Sequence, residues 1–440
     1  MRRRVTVRRL LSVLFLSSFT FCLWLGQLTA TSTPVNLGQV EVGQAANAQF
    51  SGPDQLVQQG VNAYRAGDYR SAIASWQTAL EDYQGEGDRP NAAIVLENLA
   101  RTTQQIGQSD QSIAYWQQVI TMQQQAGELQ QVGQLLTEQA QVYSSLGQHW
   151  QAIALLCNTP IASCTQPTAV GIARTYGDRE GEAAALGSLG EAYRLRGDYD
   201  EAIAILQTSV EIARAIEHPL YLSSALSSLG SAHANRAQVS YRRALSADLI
   251  GDTGPAEEFR AEGLNSEFEA LTDFQESLAL AQTHDYQAGE LRTLINAIPS
   301  YYRAGDRTTA TSTVQQALSL VEALPDSQDK VYAVITLSHL LQPVTVDAVI
   351  SKTQCPNLTV TPQVIDMLQQ AIAVAQRIAN RRAESFALGE LGHVYECRSE
   401  YSTAMTLTQA ARLAAEEAKD SRYLWEWQTG RILKAEGEVK

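Results

Sequence analysis

Lysine, histidine and cysteine are scarce in this chain, at five, six and five residues in 440, and where the few stand excludes several chemistries. A phosphate-binding P-loop needs lysine directly after glycine. Lys330, Lys352, Lys419, Lys434 and Lys440 instead follow Asp, Ser, Ala, Leu and Val. His149, His218, His233, His284, His339 and His393 never fall into the HExxH or HxxxH spacing that sets two imidazoles on one helix face, so no metal site is expected. GxSxG and CxxC are also missing, which removes the nucleophile elbow and the redox or zinc pair. The glycines from Gly181 to Gly190 have no strand before them, so helix packing explains them better than a dinucleotide site. Cys397 lies one helical turn beyond His393, a spacing that would suit a base beside a thiol, but both fit the ordinary pattern of the surrounding helix. No catalytic residue, no metal and no small-molecule cofactor are expected, and the chain reads as non-enzymatic.

Positive charge is short as well. There are 33 basic residues against 47 acidic ones, a net charge of −14. Much of the basic charge is used at once: Arg2, Arg3, Arg4, Arg8 and Arg9 precede an apolar run from Leu10 to Leu25, the layout of an export signal. Residues 1–48 are read as signal peptide and short linker, with cleavage after Ala46-Asn47-Ala48, and the remainder as exported to the periplasm or secreted. The rival reading keeps residues 10–28 as an uncleaved anchor with everything after them outside the cytoplasm, the only membrane contact expected. Removing 1–48 leaves 28 basic against 46 acidic residues, a net charge of −18, which argues against nucleic acid and anionic membrane partners. Four cysteines remain, an even count that suggests two disulfides in an exported chain. Cys157 and Cys164 bracket a short Pro-containing segment and are paired first, Cys355 with Cys397 by elimination. Four unpaired thiols are the alternative.

What is abundant is repetition. Tyr64-Arg65-Ala66-Gly67-Asp68-Tyr69 and Tyr193-Arg194-Leu195-Arg196-Gly197-Asp198-Tyr199 are each followed by alanine and isoleucine, Ala72-Ile73 and Ala202-Ile203. Gly67, Gly107 and Gly147 are spaced by 40 residues, with Trp76 and Trp116 in the same register. Between these glycines apolar residues recur at three and four, as in Leu186, Leu189, Gly190 and Tyr193, the helical period. Each unit is therefore a helix, a glycine turn and a second helix. Small residues at fixed places, Gly190, Gly230, Gly392 and Ala202, let the two helices approach closely.

Insertions break the period in three places. Ten extra residues between Gly147 and Gly197 hold Cys157, Pro160, Cys164 and Pro167, a loop over 157–167 that a disulfide closes. The turn due near Ala237 arrives fourteen residues late at Gly251-Asp252-Thr253-Gly254-Pro255, and the next helix is late by the same amount. Fourteen residues are about four helical turns, so both helices lengthen without rotating their buried faces and a hairpin over about 238–269 projects by roughly 20 Å. Pro343, Pro356 and Pro362 exclude a continuous helix and make 343–362 a loop. Residues 422–440 form an unfinished final repeat.

This pattern resembles the tetratricopeptide-repeat family, most specifically in Leu189-Gly190-Glu191-Ala192-Tyr193 through Gly197-Asp198-Tyr199-Asp200-Glu201-Ala202-Ile203. The resemblance covers most of Ser51 to Lys440 and implies an all-α, right-handed solenoid of about eight helix pairs over 49–440, whose first helices line a concave face that binds a protein or extended peptide. Outward residues on those helices are the candidate contacts: Tyr64, Arg65, Glu97, Arg101, Gln104, Gln134, Gln141, Glu191 and Arg194. Val57 and Val61 stand where a chaperone-tail carboxylate clamp would need lysine and asparagine. The long first helices, the export signal and the ending Tyr423-Leu424-Trp425-Glu426-Trp427 also look like the repeat half of exported cyanobacterial CHAT-domain proteins, without the caspase-like domain. That narrower resemblance implies the sensor half of a split or truncated peptidase. A self-stacking structural protein is the third reading.

Overall fold

A computed structural model describes residues 52–157, 163–341 and 361–439. Residues 1–48, read above as signal peptide and linker, Cys355 and all but the last residues of the 343–362 loop lie outside the described residues. Among the described residues every regular element is an α-helix. In chain order these are α1 Pro53–Arg65, α2 Tyr69–Glu86, α3 Arg89–Gln105, α4 Ser109–Ala126, α5 Leu129–Ser145 and α6 His149–Leu156. Next come α7 Ala169–Tyr176, α8 Arg179–Arg196, α9 Tyr199–Ala215, α10 Pro219–Leu249, α11 Thr253–Thr283 and α12 Gln287–Arg303. The series closes with α13 Arg307–Ala323, α14 Gln328–Leu340, α15 Pro362–Arg377, α16 Arg381–Cys397, α17 Tyr401–Glu417 and α18 Tyr423–Val439.

The Gly-Asp pairs of the sequence are the joints. Gly67, Gly87, Gly177 and Gly197 take positive φ values of 77°, 77°, 68° and 97°, a left-handed turn that costs glycine nothing. The aspartate that follows starts the next helix: Asp68, Asp88 and Asp178 accept hydrogen bonds from the backbone N–H of Ser71, Asn91 and Gly181. Where glycine is replaced the geometry persists, in Glu217, Asp285, Ala379, Ser399 and Lys419, at a cost of about 1 kcal/mol each. Packing explains the helical glycines: a Cβ at Gly230 would lie 2.8 Å from the Phe274 ring, and one at Gly190 2.8 Å from Leu206 Cδ2.

The described residues form two compact units, one within 127–313 and a second made of 52–126 with 314–341 and 361–439. In the first, α5 and α8 to α12 stack as helix pairs, and the helix between α5 and α8 is divided into α6 and α7. Cys157, at the end of α6, is disulfide-bonded to Cys164, with 5.4 Å between their Cα atoms. α10 and α11 have 31 residues each where most others have 17 or 18. Their shared seam is built of buried small residues, Ala237, Ser240, Ala244 and Ala247 on one side and Ala256, Gly263, Ser266 and Ala270 on the other. Phe274 closes the seam against Ala234, Ala270 and Ala297.

In the second unit α1 to α4 form two pairs and α14 to α18 stack in order. Trp425 of α18 packs on Ala411 and Ala415 of α17, and its Nε1–H donates to Ser385 Oγ at 2.8 Å. The early and late parts of this unit are bonded to each other. Tyr69 Oη–H donates to the Asp326 carbonyl at 3.1 Å, and Asn380 Nδ2–H to the Gln105 carbonyl at 3.0 Å. Among the described residues no helix is long and apolar enough to cross a membrane, and no group of His, Cys, Asp and Glu is placed to hold a metal ion.

Candidate functional site

The candidate residues fall into two sets, one in each unit. In the second unit Tyr64 is half-buried with its ring 5.2 Å from that of Tyr69, and burial pushes its phenol well above the ordinary range. Arg65 is exposed. Glu97 and Arg101 pair with each other at 3.3 Å, the guanidinium lying over the fully buried Trp116 ring at 5.2 Å. Gln104 is half-buried on the same helix, α3.

In the first unit the candidates tie neighbouring first helices together. Gln134 of α5 donates to the Asp178 carboxylate at 3.2 Å, and Gln141 to Ser188 Oγ of α8 at 3.2 Å. Glu191 and Arg194 of α8 are buried, at 7% and 5% exposure. They form a bidentate pair at 2.6 and 2.8 Å, and Arg194 Nη1 donates to Asn235 Oδ1 of α10 at 2.8 Å. His149 sits beside this pair, and burial holds its imidazole below its usual value and so uncharged near neutral pH.

Arg194 also borders a shallow cleft of about 30 Å³, lined by Arg194, Ser231, Ala234, Asn235, Gln238, Asn296, Pro299 and Arg303. These residues come from α8, α10 and α12, the first helices of three successive repeats; no second helix contributes. Arg303 has its own buried counter-ion, Glu267 of α11, bound at 2.8 and 3.0 Å. Both guanidinium groups are therefore neutralised from within the protein, and a desolvated pair of this kind is costly to separate. What the cleft offers is the amide groups of Gln238 and Asn296 and the amide nitrogen of Asn235, whose oxygen accepts from Arg194; the Ser231 hydroxyl is buried and donates to the Ser227 carbonyl at 2.8 Å. Pro299 cannot supply the helical N–H that the Ile295 carbonyl would otherwise accept. A wall of neutral donors and acceptors with two paired arginines matches the hydrogen-bonding groups of a peptide backbone better than it matches a single charged group.

Behind the cleft, on α10 and α11, His233 Nδ1 lies 2.9 Å from Glu269 Oε2, and Arg236 binds the same carboxylate at 2.7 Å. His233 Nε2 is 3.8 Å from Asp273 Oδ2. Burial lowers the His233 imidazole to about 4 and raises the Asp273 carboxyl to about 7, Glu269 adding to the latter. In the second unit the His393 and Cys397 side chains are 3.6 Å apart, but Cys397 is disulfide-bonded, so no thiol nucleophile stands there.

The family model described as tetratricopeptide repeat matches residues 56–125 and 167–215. These two stretches are tetratricopeptide repeats, a repeat class in which helix pairs stack through nearest-neighbour contacts. No curated protein matches the sequence. Among solved structures, the chain is similar to a Rap protein complexed with Competence and Sporulation Factor, at 11% identity and a TM-score of 0.46 over 83% of this chain and 98% of that one. The apo form of the quorum sensor NprR from B. thuringiensis has 12% identity and a TM-score of 0.45, covering 83% and 86%. A human IFIT1 dimer with m7Gppp-AAAA has 13% identity and a TM-score of 0.43, covering 83% and 73%.

Proposed function

We propose that this protein is a non-enzymatic interaction scaffold that holds an extended peptide segment of a partner protein in the α8–α10–α12 cleft, outside the cytoplasm. The observation that carries the reading is the composition of the cleft: three successive first helices supply every lining residue, and the charges among them are already paired. Side-chain amides facing an extended chain can bond its N–H and C=O groups at any sequence, while the shape of the cleft selects side chains. The acidic surplus of the chain speaks against a nucleic acid in the same place. The Cys157–Cys164 bond and the basic-then-apolar N-terminus support an oxidising, extracytoplasmic setting.

The test is selection of peptides from a random library on the purified chain, followed by titration against Asn235→Ala/Asn296→Ala. Two lost hydrogen bonds at about 1 kcal/mol each predict roughly a 30-fold weaker complex. Peptides that bind the double variant as tightly as the parent chain would remove the cleft from consideration.

A further inference from the structure

The long α10–α11 hairpin carries an apolar surface that the fold does not use. Its two helices pair through buried alanine, serine and glycine, and Arg260 is bound to Asp248 across its outer end. Large side chains of α11 are therefore left outside the seam. Leu264 and Phe268, one helical turn apart, are 59% and 71% exposed, and Leu249 and Ile250 at the tip are 72% and 80% exposed. The shorter second helix of the preceding pair, α9, exposes Glu201, Ala204, Gln207 and Glu211 instead. Lone apolar residues on a surface need no explanation, but a ridge of them on the hairpin that outruns its neighbours marks a contact surface. The charge around the ridge has one sign. From Asp248 to Glu269 there are seven acidic residues and one basic residue, Arg260. Asp248, Glu267 and Glu269 are paired with Arg260, Arg303 and Arg236. Asp252, Glu257, Glu258 and Glu262 are exposed and have no cation beside them among the described residues.

We propose that this face of α11 is a docking surface for a basic amphipathic helix of a partner protein, whose apolar side lies on Leu264 and Phe268 and whose lysines or arginines meet Glu257 and Glu258. Glu257, Ala261, Leu264 and Phe268 follow one another by four, three and four residues, the spacing with which one helix receives another along its length. Glu258 flanks that ridge, where charge chooses the partner of a helix pair, and Glu262 follows it one turn later. The same carboxylates turn away a second copy of this chain, which would bring acid to acid, and an anionic lipid surface. The surface is preformed, because the seam behind it is close-packed, so docking need not order the hairpin. It is separate from the peptide cleft, to which α11 contributes no lining residue.

The test is selection on the full chain of a displayed helical peptide library, with leucine fixed along one face and the positions flanking that face randomised. Lysine and arginine should be enriched at the flanks. A selected peptide, followed by fluorescence anisotropy at physiological salt, should bind Leu264→Ala/Phe268→Ala about ten-fold more weakly or worse, while the unfolding midpoint of that variant stays where it was because neither side chain is in the seam. Glu257→Lys/Glu258→Lys should weaken the same peptide by about ten-fold and accept instead a version with glutamate at every flanking basic position. Asn235→Ala/Asn296→Ala should leave binding unchanged, which separates this surface from the cleft. Flanks with no preference for basic residues overturn the proposal, as does a peptide that Leu264→Ala/Phe268→Ala binds as tightly as the parent chain. A parent chain that dimerises in sedimentation equilibrium, or that binds phosphatidylcholine vesicles, and loses that property in Leu264→Ala/Phe268→Ala overturns it too.

Discussion

Gly190 and Gly430 hold the same place in their repeats, and their surroundings differ completely. Gly190 is pressed by Leu206 from the second helix of its own pair, whereas Gly430 faces open space. The same residue is thus a packing requirement inside the array and a free surface on α18. A repeat position has no fixed worth; the neighbouring helix confers it, as expected where stability is a sum of interfaces.

The comparison is broken most sharply by loading the two glycines with the same side chain. Gly190→Leu should destabilise the fold by about 3 kcal/mol, since Leu206 must be displaced from a close-packed seam, and chemical denaturation would show it. Gly430→Leu should leave the unfolding midpoint unchanged or raise it. Equal losses at both sites would refute the contrast.

Removal of the disulfide by Cys157→Ser/Cys164→Ser should cost about 2 kcal/mol, read as an earlier melt of the first unit with the α15–α18 stack unaffected in hydrogen exchange. Asn380→Ala should follow at about 1–2 kcal/mol. That side chain accepts from the Ala383 N–H and donates to both Gln105 and Gln328, so it caps α16 and links the early and late parts of the second unit at once. Increased exchange at the α3–α4 turn, far away in sequence, would identify the second role.

The smallest effect concerns pH. Asp273 titrates at about 7 in the fold, above its ordinary 3.8, so the folded state keeps a proton the unfolded chain has lost. Its contribution becomes more unfavourable as pH rises from about 4 to about 7. His233, lowered to about 4 from 6.5, acts in the other sense, because the stability tied to its neutral form is lost as pH falls through that window. Asp273→Asn should therefore raise the melting temperature near neutral pH and lose that advantage near pH 4. A gain that does not change with pH would exclude the titration as its cause.

Most of the fold was legible because its demands are local. A left-handed residue followed by a helix cap asks for glycine and then aspartate, and Gly67-Asp68 or Gly197-Asp198 can be read as a joint without knowing what surrounds it. The periodic apolar residues and the small residues opposite them announce paired helices for the same reason. The cleft was only partly legible. Arg194 could be picked out as lying on a first helix, but its salt bridge to Glu191 and its bond to Asn235 could not, and Asn235, Gln238, Asn296 and Arg303 were missed. Nothing in their own segments marks them. Which side of α10 or α12 borders a neighbour depends on the angle between repeats, set by many side chains at once. Asn380 was missed for a similar reason, since its partner Gln105 is 275 residues away.

The sequence by itself determined the helix pairs, their joints and their close-packed glycines, because each depends on residues within one repeat. The tertiary structure alone decided which polar residues line a cleft, which arginines are neutralised, and that Gly430 has no neighbour where Gly190 has one. The physical reason is range: backbone conformation and helical period are fixed over a few residues, while exposure and charge pairing are fixed by whichever helix packs alongside.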